Sequence, residues 1–134
     1  TNLLQGVVNN GTAYRLRGTY RLKGQIAGKT GTTNDNSDGW FIGYTPSITA
    51  GVWVGGEDRQ VHFESLALGS GSNMALPIWG IWMKKLLADG TLGISEADFF
   101  AVPADMNINL DCSGGDSEIM SKSARRQEEQ YFFE

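Results

Sequence analysis

Three apolar runs stand close together in the first half of the chain, and the short links between them restrict its fold more than any other feature. They are "QIAGKT" (Gln25 to Thr30), "WFIGYT" (Trp40 to Thr45) and "ITAGVWVGG" (Ile48 to Gly56). The second and third carry the β-branched and aromatic residues that suit a pleated surface. Between them lie "TTNDNSDG", dense in turn formers, and "TPS". A parallel crossover needs a dozen or more residues, so links this short leave only an antiparallel meander. Glycine is frequent at 18 of 134 residues, about twice the usual ~7%. Its place inside apolar runs predicts close backbone approach or sheet irregularity.

Helical patterns flank the meander. Leu3, Leu4, Val7 and Val8 recur at helical spacing, and Asn9-Asn10-Gly11 supplies a stop, predicting a short helix over 1–9. "GTAYRLRGTYRLKG" reads as a loop and "EDRQVHFESLALGSGS" as irregular. Ser72 or Asn73 is placed to cap a second helix with Pro77 in or near its first turn. Ile78, Trp79, Ile81, Trp82, Met83, Leu86 and Leu87 fill it, and Asp89-Gly90 ends it. So apolar a helix is expected to lie flat against the sheet, hidden from solvent, with its tryptophans in the core. "FFAVPADMNINLDC" reads as extended and irregular, and 111–134 as a polar tail, disordered or weakly helical. The fold class is α/β in the broad sense, more narrowly α+β: an antiparallel sheet with helices packed on it, over residues 1–110.

Several functions are disfavoured at the outset. A net charge of -4 with scattered Lys and Arg argues against nucleic acid as partner. One cysteine, Cys112, and one histidine, His62, leave no basis for a metal centre, a disulfide framework or a His-dependent triad. No cofactor is expected. No run reaches the ~18–20 apolar residues of a membrane span. The chain begins at Thr1 without Met, which suggests a processed product or a fragment.

"GKTGTTNDNS" suggests an anion site. A phosphate-binding P-loop needs Gly, four residues, then Gly-Lys-Ser/Thr, opening a helix. The residue five before Gly28 is Lys23, Gly24 is one place too near, and a turn follows where a helix is required. Lys-Thr-Gly on a strand fits better. Thr30 and Thr32, two apart, project to one face and can donate to a carboxylate. Gly31 lets an extended substrate approach the backbone. Lys29 supplies positive charge, and one strand N–H can serve as half of an oxyanion hole.

"AGKTGTTNDNSDGWFIGYTPSITAGVWVGGED", with "LLQGVVNNGTA" before it and "ALPIWGIWM" after it, resembles the C-terminal part of the transpeptidase domain of class A, bifunctional penicillin-binding proteins. The likeness covers about residues 1–110. It implies the β-lactamase/transpeptidase-like fold and the following roles. Lys29 is the active-site strand lysine. Thr30 and Thr32 bind the carboxylate of a peptide or β-lactam, with Gly31 giving access. The backbone N–H of Thr32 is an oxyanion donor, so Lys29 and Thr32 are the catalytic candidates. Trp40 is expected to pack, not bind. The family usually reads Asp-Ala-Trp-Phe where this chain has Asp38-Gly39-Trp40-Phe41, which is expected to loosen the strand start.

The family's acyl-serine chemistry also needs Ser-x-x-Lys and Ser-x-Asn. None of the serines, at 37, 47, 65, 70, 72, 95, 113, 117, 121 and 123, begins either motif. The nucleophile is therefore not in this chain, which alone is expected to be inactive. The resemblance implies a parent that cross-links peptidoglycan, fused to a glycosyltransferase and anchored at the periplasmic face of the bacterial inner membrane by an N-terminal segment. Its partners would be peptidoglycan stem peptides, β-lactams and the upstream part of the same domain. An exposed strand edge and an uncovered apolar face would favour self-association. Two alternatives stand beside this: a β-lactamase or D,D-carboxypeptidase relative, and a non-catalytic binding or scaffold module of the same fold.

Overall fold

The computed structural model describes residues 1–104. The expected tail over 111–134, its boundary at residue 110 and Cys112 lie outside the described residues. Helix α1 (Asn2–Asn10) and a one-turn helix α2 (Arg15–Gly18) lead into strand β1 (Ala27–Thr32). A tight turn carries the chain to β2 (Asp38–Tyr44) and a second to β3 (Thr49–Gly55). One-turn helix α3 (Leu66–Gly69) and the longer α4 (Ala75–Ala88) follow.

The strands form a three-stranded antiparallel sheet in the order β1-β2-β3, as their short links require. Ala27 pairs with Tyr44 and Thr32 with Gly39; Asp38 pairs with Gly55 and Tyr44 with Thr49. The β1–β2 turn works because Asp35 and Asn36 take left-handed backbone angles, φ 59° and 56°. Short polar side chains tolerate that region best. Thr33 braces the turn: its hydroxyl accepts the Asp38 N–H at 2.9 Å and lies 2.9 Å from that of Ser37.

Strand alternation splits β2 into two faces. Gly39, Phe41 and Gly43 are buried, whereas Trp40 and Ile42 are exposed. The buried face meets α4. Trp79 packs edge-on against Phe41 with centroids 5.3 Å apart, and its Nε1–H donates to the Ala50 carbonyl at 3.1 Å. The glycines inside the apolar runs create this contact. A Cβ on Gly43 would stand 2.8 Å from Trp79 Cζ2, and one on Gly28 would stand 2.8 Å from Phe41 Cζ. Both are closer than van der Waals packing permits. Full burial of Phe41 and Trp79 contributes on the order of 2–3 kcal/mol each.

Several expectations need correction. The first strand runs Ala27–Thr32, not Gln25–Thr30. Gln25 is diverted, its side-chain carbonyl accepting the Phe100 N–H at 2.7 Å, and pairing persists to Thr32. The segment from Gly11 to Gly24 is more than a loop, because it holds α2 and places Ala13, Leu16 and Leu22 in the core. It packs on α4 at Gly80, where a Cβ would lie 2.9 Å from the Tyr20 ring. The irregular stretch after β3 likewise contains α3.

Neither Ser72 nor Asn73 caps α4. Its N-cap is Met74, and the amides of Ala75 and Leu76 donate to the Gly71 carbonyl. Asn73 instead donates to the Ala67 carbonyl at 2.9 Å and accepts from Arg15. Nor is α4 hidden from solvent. The sheet and the segment over 11–24 together bury Leu76, Trp79, Gly80 and Met83 and leave Ile78 and Ile81 half exposed.

Candidate functional site

The sequence places Lys29, Thr30, Gly31 and Thr32 on one edge strand, and the ladder decides which way each backbone group points. The rung just beyond β1, Thr33 N–H to the Asp38 carbonyl at 3.1 Å, fixes the phase. With the observed register, Ala27, Lys29 and Gly31 turn both backbone polar groups toward β2. Gly28, Thr30 and Thr32 turn theirs to the other edge, which no strand pairs among the described residues. The Thr32 N–H, the candidate oxyanion donor, is therefore directed away from the sheet.

The side chains follow the same alternation. Thr30 stands opposite the buried Phe41 and Thr32 opposite the buried Gly39, so the two hydroxyls share the sheet face that carries α4. Lys29 and Gly31 belong to the other face, opposite Ile42 and Trp40. Lys29 is exposed and bends back to the edge, where its ammonium donates to the Thr30 carbonyl at 2.8 Å. Gly31 is open on its own face: an added Cβ would meet only Trp40 Cβ, at 3.3 Å.

Each threonine hydroxyl is held from outside the strand. Thr12, on the loop after α1, puts its hydroxyl oxygen 3.1 Å from that of Thr30. The Gly71 N–H donates to the Thr32 hydroxyl at 3.0 Å. The turn that carries Gly71 lies directly on the sheet, since a Cβ at Gly71 would collide with the Gly31 and Trp40 carbonyl oxygens. The same turn explains Gly39. It is buried in the middle of a paired register, beside Gly71 Cα and Met74 Cε. The missing Cβ admits this turn, so the strand start is packed, not loosened.

Asp38 fixes the outer face. Its carboxylate accepts from the Ser37 hydroxyl at 3.2 Å and from Trp53 Nε1–H at 3.1 Å. Trp53 in turn lies 6.4 Å from Trp40, ring centroid to centroid, with planes tilted by 47°. Trp40 thus contacts the Trp53 ring while remaining 44% exposed. Sequence reasoning assigned no role to Thr12, Gly71 or Asp38. Only Gly71, within a glycine-serine run, carries a local signal. His62 is exposed, remote in sequence from the Lys-Thr-Gly strand, with Nδ1 3.3 Å from the Phe63 carbonyl.

No family model matches the chain. Among curated proteins it is similar to penicillin-binding protein 1A of Aquifex aeolicus strain VF5, with 38% identity over 81% of the chain and 14% of that protein. Penicillin-binding protein 1A of Escherichia coli K12 matches at 32% identity over 92% of the chain and 15% of that protein. The chain thus spans about one seventh of the length of these relatives. Among solved structures, penicillin-binding protein 1A from Haemophilus influenzae superposes with a TM-score of 0.63 at 24% identity. That match covers 77% of the chain and 15% of the other. It shows that the sheet and its helices have the fold of a part of that protein.

Proposed function

This chain is homologous to one segment of the penicillin-binding proteins 1A, and from that premise we propose that it is the C-terminal part of a peptidoglycan D,D-transpeptidase domain. It provides the substrate-binding edge, while the nucleophilic serine comes from elsewhere. The observation that carries this reading is the outward Thr32 N–H beside two threonine hydroxyls on one face, with the Lys29 ammonium at the Thr30 carbonyl.

In this reading an acyl-D-Ala-D-Ala stem peptide lies along the open edge of β1. The hydroxyls of Thr30 and Thr32 donate to its terminal carboxylate. Lys29 adds positive charge, which also favours that anion. A serine outside this chain attacks the penultimate carbonyl, and its proton passes to the departing amine. The carbonyl oxygen becomes an oxyanion, and the Thr32 N–H is one of the donors aimed at it. The C–N bond breaks, D-alanine leaves and an acyl-serine remains. An amine of a neighbouring stem peptide then attacks that ester, forms the cross-link and returns the serine. A β-lactam enters by the same carboxylate and acylates the serine without a rapid second step.

The wider assignments belong to the same proposal: a fused glycosyltransferase, β-lactam binding, and a parent held at the periplasmic face of the inner membrane by an anchor outside this segment. Among the described residues no helix is long and apolar enough to cross a membrane.

Fluorescent penicillin tests the reading. The reading frame that encodes this segment is expressed whole and as residues 1–134 alone. Label is expected on the whole product at a Ser-x-x-Lys serine and not on the shorter chain. A whole product without Ser-x-x-Lys and Ser-x-Asn, and without label, would favour the scaffold alternative. A glycosyltransferase domain upstream separates the synthase from a β-lactamase or carboxypeptidase relative.

A further inference from the structure

The hydroxyl of Thr12 meets that of Thr30 at 3.1 Å, and nothing in the Lys-Thr-Gly signature accounts for it. A threonine hydroxyl has one proton and two acceptor positions. If Thr30 is to give its proton to a carboxylate, whatever else touches its oxygen must donate. Either hydroxyl can donate across this contact, and Thr12 meets that condition when it is the donor. The second hydroxyl has the same arrangement with no choice of direction, because the Gly71 N–H can only donate to Thr32 at 3.0 Å. Each hydroxyl then accepts from the protein and keeps its proton for the edge. Accepting a bond also makes a hydroxyl a better donor.

The two supports are tied together. Arg15, three residues after Thr12, donates through Nη1 to Asn73 Oδ1 at 2.7 Å and to the Ser72 carbonyl at 3.2 Å. It thus joins the loop of Thr12 to the turn of Gly71. We infer that Thr12 is a positioning residue: it aims the Thr30 proton at the terminal carboxylate of a peptide ligand. This rests on the reading of Thr30 and Thr32 as a carboxylate site and adds to it a residue outside the strand.

The test is titration of the 134-residue chain with acetyl-D-alanyl-D-alanine and with its C-terminal carboxamide, followed by the backbone amide signals of Thr30, Gly31, Thr32 and Gly71. Wild type is expected to prefer the acid. Thr12→Val keeps the shape and removes the proton; it is expected to lower that preference by about fivefold, the order of losing one neutral hydrogen bond. Thr12→Ser is expected to restore it. Thr12 is exposed, so the valine should leave the remaining amide spectrum unchanged; Thr12→Ala is the second hydroxyl-free variant. Undiminished acid preference in either variant overturns the inference alone. A wild type that treats acid and amide alike removes the carboxylate reading itself, and the inference with it.

Discussion

Trp79 lays its indole on Gly43: a Cβ at Gly43 would stand 2.8 Å from Cζ2 and 2.9 Å from Cε2 of that ring. This contact locks α4 to the middle strand, and through the strand to the edge that carries Lys29 and Thr32. Gly43→Ala should therefore destabilise the fold, although alanine suits a strand better than glycine. Overpacking of this kind costs about 1–3 kcal/mol. Gly6→Ala in α1 is the control, because nothing lies within 4 Å of its added Cβ. It should stabilise by about 0.5–1 kcal/mol. Urea unfolding followed by tryptophan fluorescence measures both. Equal effects at the two positions would show that backbone propensity, not contact with the Trp79 and Phe41 rings, governs Gly43.

Gly39 differs from Gly43 in what an added methyl would meet. Its closest neighbour would be Met74 Cε at 2.5 Å, the end of a flexible side chain, with Gly71 Cα at 3.1 Å behind it. Gly39→Ala should cost less than Gly43→Ala, about 1 kcal/mol. Part of that should disappear when Met74 is shortened. A double-mutant cycle with Met74→Ala is expected to give a coupling above about 0.5 kcal/mol. Additive effects would mean that the Gly71 turn alone excludes the methyl.

The meander was legible because its links are short and their residues are turn formers, so sequence distance and local chemistry agree. The Lys-Thr-Gly edge was legible for a related reason: alternation alone puts Thr30 and Thr32 on one face. What the sequence hid depends on contacts between distant segments. Leu16 and Leu22 are core residues on a single helical turn and its exit, too short to set up a periodic pattern. Asn73 looks like a helix cap, but its side chain binds Arg15 and the Ala67 carbonyl instead. Thr12 sits in an ordinary polar loop, and its relation to Thr30 exists only once α1 has packed beside β1.

Asp98 should report on the segment after α4. The Ser47 hydroxyl, then the Ser95 N–H, donate to its carboxylate and hold its pKa below the ordinary aspartate value. A depressed carboxylate stabilises the fold above its unfolded-state pKa, and that contribution is lost as pH falls through the folded-state value. Ser47→Ala should raise the Asp98 pKa toward the ordinary value and weaken the acid-range dependence that this group imposes. Carboxyl-carbon NMR titration of both proteins checks this. An Asp98 pKa that does not move would mean that Ser95 alone sets it.

The last prediction concerns the sheet face opposite α4. Trp40, Ile42 and Trp53 are 44%, 49% and 47% exposed there, and both outer strands have an open edge among the described residues. A clustered apolar face beside unpaired strand edges favours association with another surface of the same kind. For this chain in isolation, a second copy is the surface always present. Concentration-dependent association is therefore expected in sedimentation velocity. Ile42→Lys places a charge in the middle of the face, directly opposite Lys29, and should shift the chain toward monomer at a small cost in thermal stability from the like-charge pair. Wild type that stays a monodisperse monomer in solution scattering across the concentration range would refute the prediction. Association that persists in Ile42→Lys would move it from the face to the strand edges.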